Sequence, residues 1–246
     1  MNDVTPRAKI TVFRNCAWIV AWDAATQSHC YLQNADFAFC GSDILHVGAD
    51  FTGEADIEIS GRDKMLMPGF VDIHSHPGHE PGWKGMLEEL GSKRLGQSSL
   101  YEFMPVFDIG PQYARSACRV ATAELLKSGV TTICDLAPPR EDWVGDYTPT
   151  GIRAVLWCMF RSGPWKTRNG HSVEYDLDTA RGDRLLQEAV AAADLAGQHP
   201  SGLISSYLAP AQIDTCTEGQ IMGAIAAARD RGQTIQIHAA QSRVEF

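Results

Sequence analysis

The chain has 246 residues, room for one large domain or one and a half. A hydrophobic share of 44% with 21% charged residues excludes a disordered chain, and 22 Gly with 12 Pro exclude a collagen-like or low-complexity one. Lys plus Arg is 21 against 30 for Asp plus Glu, a formal charge of −9 with no basic run, which argues against nucleic-acid or anionic-membrane partners.

The opening residues MNDVTPRAK lack the apolar core of a signal peptide, and no apolar stretch reaches the roughly 18 residues of a membrane span. The seven Cys are odd in number and form no C-x-x-C pair; most lie in or beside apolar runs. Reduced, buried thiols and a cytoplasmic location are the expectation. Residues 9–66 read as short strands: KITVFRN, CAWIVAW, SHCYLQN, DFAFCG and DILHVGAD are rich in β-branched and aromatic residues and are broken by Gly, Asn and Asp. Their close spacing predicts a small, largely antiparallel sheet unit.

After Met67-Pro68-Gly69 the rhythm changes. FVDI is a buried strand, and an irregular segment follows over residues 76–110. QYARSACRVATAELLKSG has helical period, with Ala117, Val120, Ala121 and Leu125 near one face and Gly129 just past the end. VTTICDL and GIRAVLWCMF are strands, RLLQEAVAAADLAG a helix, and GLISSYLAP a strand. TEGQIMGAIAAARDRG is a helix opened by Thr215 and Glu218 at capping-box spacing, and TIQIHAA is the last strand. Alternation of this kind predicts parallel β/α units.

Chemistry concentrates in MPGFVDIHSHPG, residues 67–78. His74 and His76 are two apart at the end of a strand, where residues i and i+2 share a side, so both imidazoles can reach one ion. A histidine pair without metal is the competing reading. His238 ends TIQIHAA, the equivalent position several strands along. Three imidazoles with an open fourth position is the pattern of catalytic zinc. In β/α barrels, active sites form at the C-terminal strand ends.

MLMPGFVDIHSH, AELLKSGVTTICDL and IQIHAAQS, in that order and separation, resemble the amidohydrolase superfamily, in the branch of triazine chlorohydrolases and guanine, adenosine-type and cytosine-type deaminases. The resemblance covers essentially the whole chain. It implies an α/β fold, with residues 1–66 as N-terminal strands of a composite β-sandwich. Residues 67–246 would then form an incomplete β/α (TIM-like) barrel of about five strands. It implies His74 and His76 as strand-one ligands and His238 as the strand-five ligand. The family completes this set with a His after strand six and an Asp after strand eight; neither is in these 246 residues, so the expectation is a fragment or a truncation. An open sheet edge then predicts poor solubility or self-association. Deaminase-like members carry Glu three residues after the strand-five His, where this chain has Gln241. An amide holds no proton to shuttle, so Gln241 is expected to contact substrate, with a purely structural amide as the alternative. Two-metal members add a strand-four ligand, but GLISSYLAP offers neither Lys nor acid, so one divalent metal is expected: zinc by its imidazoles, with iron or manganese open.

Weaker candidates, for substrate contacts by the same resemblance, are His79, Glu80 and Trp83 beyond the motif, against an ordinary surface loop. Asp135 at the end of VTTICD is a candidate partner for a ligating His, against a turn cap. Arg161 is a candidate for an anionic substrate group, with Trp165 and His171 nearby, against chance in a long loop. His29, His46 and His199 read as incidental, and the placement of Glu245 is open. The expected activity is metal-dependent hydrolysis of a non-peptide C–N bond in a small cyclic or heteroaromatic substrate. A catalytically inactive metal-binding remnant and a non-enzymatic interaction module on the same fold are the alternatives.

Overall fold

The computed structural model describes residues 7–84, 109–167 and 172–241. The chain divides into two compact units, Met1–Gly69 and Phe70–Phe246, three residues beyond the boundary expected at 66/67. Among the described residues no helix is long and apolar enough to cross a membrane.

The first unit holds β1 (Ile10–Cys16), β2 (Trp18–Asp23), β3 (Ser28–Leu32), β4 (Ala35–Cys40), β5 (Asp43–Gly48), β6 (Ile57–Ser60) and β7 (Met65–Leu66). One sheet runs β5-β4-β1-β6 and another β3-β2-β7. The hairpins are antiparallel as the close spacing predicts, while β6 and β7 add parallel edges. Asn15, with φ 53°, sits at the irregularity where the chain leaves β1 for β2. Cys16, Ile19 and Ala35 form the small core where these segments meet. Asp36 is its charged pin: it accepts from the backbone N–H of Asn15 and Phe51 and from Arg14 Nη1 at 2.8–3.0 Å.

The second unit contains β8 (Phe70–Ser75), the short α1 (Glu80–Trp83), α2 (Ala114–Lys127), β9 (Val130–Ala137) and β10 (Arg153–Phe160). A small antiparallel pair, β11 (Trp165–Lys166) and β12 (Glu174–Tyr175), precedes α3 (Thr179–Gly197), β13 (Ile204–Pro210) and α4 (Glu218–Asp230). The sheet β8-β9-β10-β13 is parallel throughout. Alternation splits its side chains between two faces. Ile133, Leu156 and Leu208 pack with Ala189 and Ala193 of α3 and Ala224 of α4. Cys134, Leu136, Trp157 and Ala209 cluster on the other side. All seven cysteines are free and five are buried.

Four local expectations change. FVDI, read as a buried strand, is the edge strand β8, with Phe70, Val71 and Ile73 exposed because no strand pairs with that side among the described residues. TIQIHAA does not form a full strand; it continues the parallel ladder only at two isolated bridges, Leu208↔Ile235 and Gln212↔His238. The cap of α4 is Thr217, whose Oγ1 accepts from Gln220 N at 3.3 Å. Thr215 is instead drawn inward to Gln212 Oε1, at 2.5 Å, because its hydroxyl is buried and needs an acceptor. On α2, Ala114, Ala117, Cys118 and Ala121 face the core while Val120 points out, 49% exposed. Gly129 follows that helix at φ +85°, the left-handed conformation that ends it before β9.

Candidate metal centre

β8 does not pair evenly with β9. Asp72 faces Ile133 and Ser75 faces Asp135, so three steps on β8 match two on β9. The extra residue is a bulge, a device that re-aims side chains at strand ends. His74 lies inside it, its backbone N–H held by Asp72 Oδ1 at 3.1 Å. His76 follows at once, and His238 arrives through the bridge to Gln212. The ligand nitrogens of the three imidazoles lie within 4.8 Å of one another. Ring centroids are 5.0 Å apart for His74–His76, 4.8 Å for His74–His238 and 5.3 Å for His76–His238.

The tautomers follow from the partners. His76 Nδ1 is 2.7 Å from Leu136 O, and His238 Nδ1 is 2.5 Å from Ala211 O. A carbonyl only accepts, so both Nδ1 atoms carry the hydrogen and both Nε2 atoms present lone pairs. Those two Nε2 atoms are 3.3 Å apart. Burial first, then the neighbouring imidazoles, push His76 down to about 4 against the opposing pull of the Leu136 carbonyl. Burial and then His238 lower His74 as well. Convergent imidazoles, two of them anchored through Nδ1 to backbone carbonyls, are what a divalent ion needs, and the donor set fits one.

The loop after β8 folds back over this cluster. Glu80 Oε1 accepts from His76 N at 2.7 Å, while the N–H groups of His79 and Glu80 donate to His76 O at 2.9 and 3.0 Å. His79 and Trp83 stack at 5.6 Å with 16° between their planes, and Trp83 meets the edge of His76 at 6.1 Å. These candidates therefore sit beside the imidazoles.

Asp135 does not. It is fully buried, and its Oδ2 accepts from Trp143 Nε1 and Tyr147 Oη, each at 2.6 Å, with Arg140 Nη2 3.7 Å away. Its register partner is Ser75, and in-register neighbours share a face, so it points opposite to His76. The orienting role expected of Asp135 falls to the Leu136 carbonyl. Arg161 lies one residue past β10, half-buried, its pKa lowered by burial and then by Arg181. Gln241 is half-buried, three residues past His238 and directly after Ala240 at φ 54°. Trp165 opens β11, while His171 and Glu245 lie outside the described residues. His46 and His199 take local partners, Ala49 O and Ser201 Oγ, and His29 packs on Trp22. Sequence reasoning missed the carbonyls of Leu136 and Ala211, which leave no trace in side-chain identity.

The sequence model of the Amidohydrolase family matches residues 65–245. A 5-methylthioadenosine/S-adenosylhomocysteine deaminase of Shouchella clausii is 24% identical over 239 residues, covering 96% of this chain and 51% of that protein. A triazine hydrolase variant superposes with TM-score 0.70 at 20% identity, covering 94% of this chain and 52% of that one. The zinc complex of atrazine chlorohydrolase from Arthrobacter aurescens TC1 gives TM-score 0.67 at 18% identity, over 93% and 52%. The chain thus spans about half the length of the relatives it matches.

Proposed function

The chain belongs to the amidohydrolase family, and on that premise we propose that it is a metal-dependent hydrolase of non-peptide C–N bonds in small cyclic or heteroaromatic substrates. One observation carries the reading. Three imidazoles converge, two with Nδ1 locked to backbone carbonyls and Nε2 atoms 3.3 Å apart. The parallel order β8-β9-β10-β13, prolonged by the bridges to Ile235 and His238, is read as the first five strands of a β/α barrel. The N-terminal sheets are read as its share of a composite β-sandwich.

His74, His76 and His238 would hold one divalent cation, zinc by the softness of its donors. Once bound, such a cation supplies the Lewis acidity that makes water nucleophilic near neutral pH. His79 and Trp83 offer a stacked aromatic wall against which a flat heterocycle can lie. Gln241 can orient the substrate by hydrogen bonding but cannot carry a proton. Arg161 is available for an anionic substituent. The deaminase relative points to amino-purine nucleosides as the first substrates to try, and the triazine hydrolases to substituted triazines. Gln241 favours a second variant of the reading, displacement of a leaving group other than ammonia. The free thiols fit a cytoplasmic location, and the exposed edge strand β8 fits self-association.

The protein, loaded with zinc, should be assayed on 5-methylthioadenosine, guanine and chloro- and amino-triazines, following ammonia and chloride release. Turnover is expected to vanish in His238→Ala. Stoichiometric zinc without turnover on any substrate would leave a metal-binding remnant; absence of zinc binding would overturn the reading altogether. If ammonia is released, Gln241→Glu is expected to raise the rate roughly 100-fold, the lower end of what a positioned proton carrier contributes.

A further inference from the structure

Glu80 is not needed as a metal ligand, yet it makes the shortest side-chain bond to the backbone of one. His76 stands just past the last residue of β8, beyond the bulge, where the ladder to β9 no longer supplies an acceptor for its N–H. A backbone donor left unpaired at that depth would be costly. Glu80 Oε1 takes that N–H at 2.7 Å, and Glu80 N–H donates back to His76 O at 3.0 Å. The two residues thus exchange bonds across one turn, as the members of a capping box do. The ring is fixed at its far end by Leu136 O at 2.7 Å. His76 is therefore gripped at both ends, main chain by Glu80 and imidazole by the β9 backbone. His74 has one comparable backbone restraint, from Asp72 at 3.1 Å.

We propose that Glu80 is a positioning residue for the metal centre: its carboxylate oxygen, as an acceptor, sets the backbone of His76 and so the direction of its Nε2. This rests on the metal-site reading above. What matters is the acceptor at that place, not the negative charge. Gln presents the same carbonyl-type oxygen and Ala presents none.

The test compares zinc affinity of the chain and its Glu80→Gln and Glu80→Ala variants by competition with a chromophoric chelator. The melting temperature of each metal-free protein is measured alongside. Removing an outer partner of a ligand typically weakens binding roughly 10–100-fold. Glu80→Ala is expected to show that loss, and Glu80→Gln to stay within about threefold of the parent if the acceptor is retained. The metal-free melting temperatures of Gln variant and parent should agree, because nothing but the charge has changed. Affinity unchanged in Glu80→Ala would overturn the proposal. So would an equal loss in Gln and Ala, which would mean that charge is the active property. If the parent binds no zinc, the metal-site reading itself fails, an outcome distinct from either.

Discussion

Two neighbouring strands end in residues with chemistry, and only one of them builds a site. β8 delivers His74 and His76 to a cluster with His238, while β9, paired to it residue for residue at Ser75 and Asp135, sends its carboxylate the other way. Both look alike in sequence: a short apolar run closed by a polar residue. The difference is parity. Ser75 and Asp135 share the helix-side face, where Trp143 and Tyr147 both donate to Oδ2 of the acid and Oδ1 is left without a partner. His74 and His76 flank Ser75 and face the opposite way. A polar residue at a strand end thus joins the imidazole cluster or becomes a core pin according to a one-residue offset.

The sharpest way to break that contrast is to remove each side in turn. A His74→Ala/His76→Ala protein should lose stoichiometric zinc, a loss well beyond the roughly 10–100-fold expected for an outer-shell partner. Metal analysis after dialysis checks this, and retained zinc would disqualify the cluster. Asp135→Ala should do the reverse. It strands two buried donors, Trp143 Nε1 and Tyr147 Oη, while Arg140 keeps Asp146 at 2.8 Å, so stability should fall by about 3 kcal/mol in denaturant unfolding, roughly 1–3 kcal/mol for each donor left unpaired. Zinc affinity of the folded fraction should hold within about tenfold, less than the loss for removing a direct partner of a ligand. If instead Asp135→Ala abolishes zinc binding without destabilising the chain, the two faces are not separate in function.

Much of this arrangement was legible beforehand, for physical reasons that differ by element. The imidazole trio could be read because metal ligation demands particular side chains at strand ends, and HSH and IQIHAAQS display them. The strands of both units could be read because β-branched and aromatic runs between Gly and Asn punctuation leave few other options. The place of Asp135 stays open in sequence because periodicity gives the alternation along β9 but not which phase faces which layer. Only the partner strand and the covering helix fix that. Sequence does not choose between Thr215 and Thr217 as the cap of α4, because capping spacing is satisfied twice within three residues. Burial of the Thr215 hydroxyl beside Gln212 left Thr217 to do the work. The grip of Glu80 on His76 depends on a bulge, which no side-chain pattern announced.

The finest distinction between the faces is in the sign of their response to pH. His76 titrates at about 4 in the folded chain, chiefly because burial disfavours its imidazolium, against 6.5 ordinarily. Between those values the unfolded chain holds more protons, so the metal-free protein should lose stability as pH falls, by at most about 1.4 kcal/mol per pH unit. His76→Ala should flatten that slope. Asp135 behaves oppositely. Burial raises its pKa above the ordinary 3.8 and outweighs Arg140, Tyr147 and Trp143, which pull it down. From that value upward the folded chain is the one holding more protons, so its contribution to stability declines as pH rises. Asp135→Asn removes that decline while keeping an acceptor for Trp143 and Tyr147. Its stability should therefore climb more steeply between pH 4 and 6.5 than the parent's, the lowered His76 and His74 both acting in that direction. Unfolding midpoints measured across that range in the three metal-free proteins decide the matter. Parallel curves would mean that neither face titrates in the folded state as its burial requires.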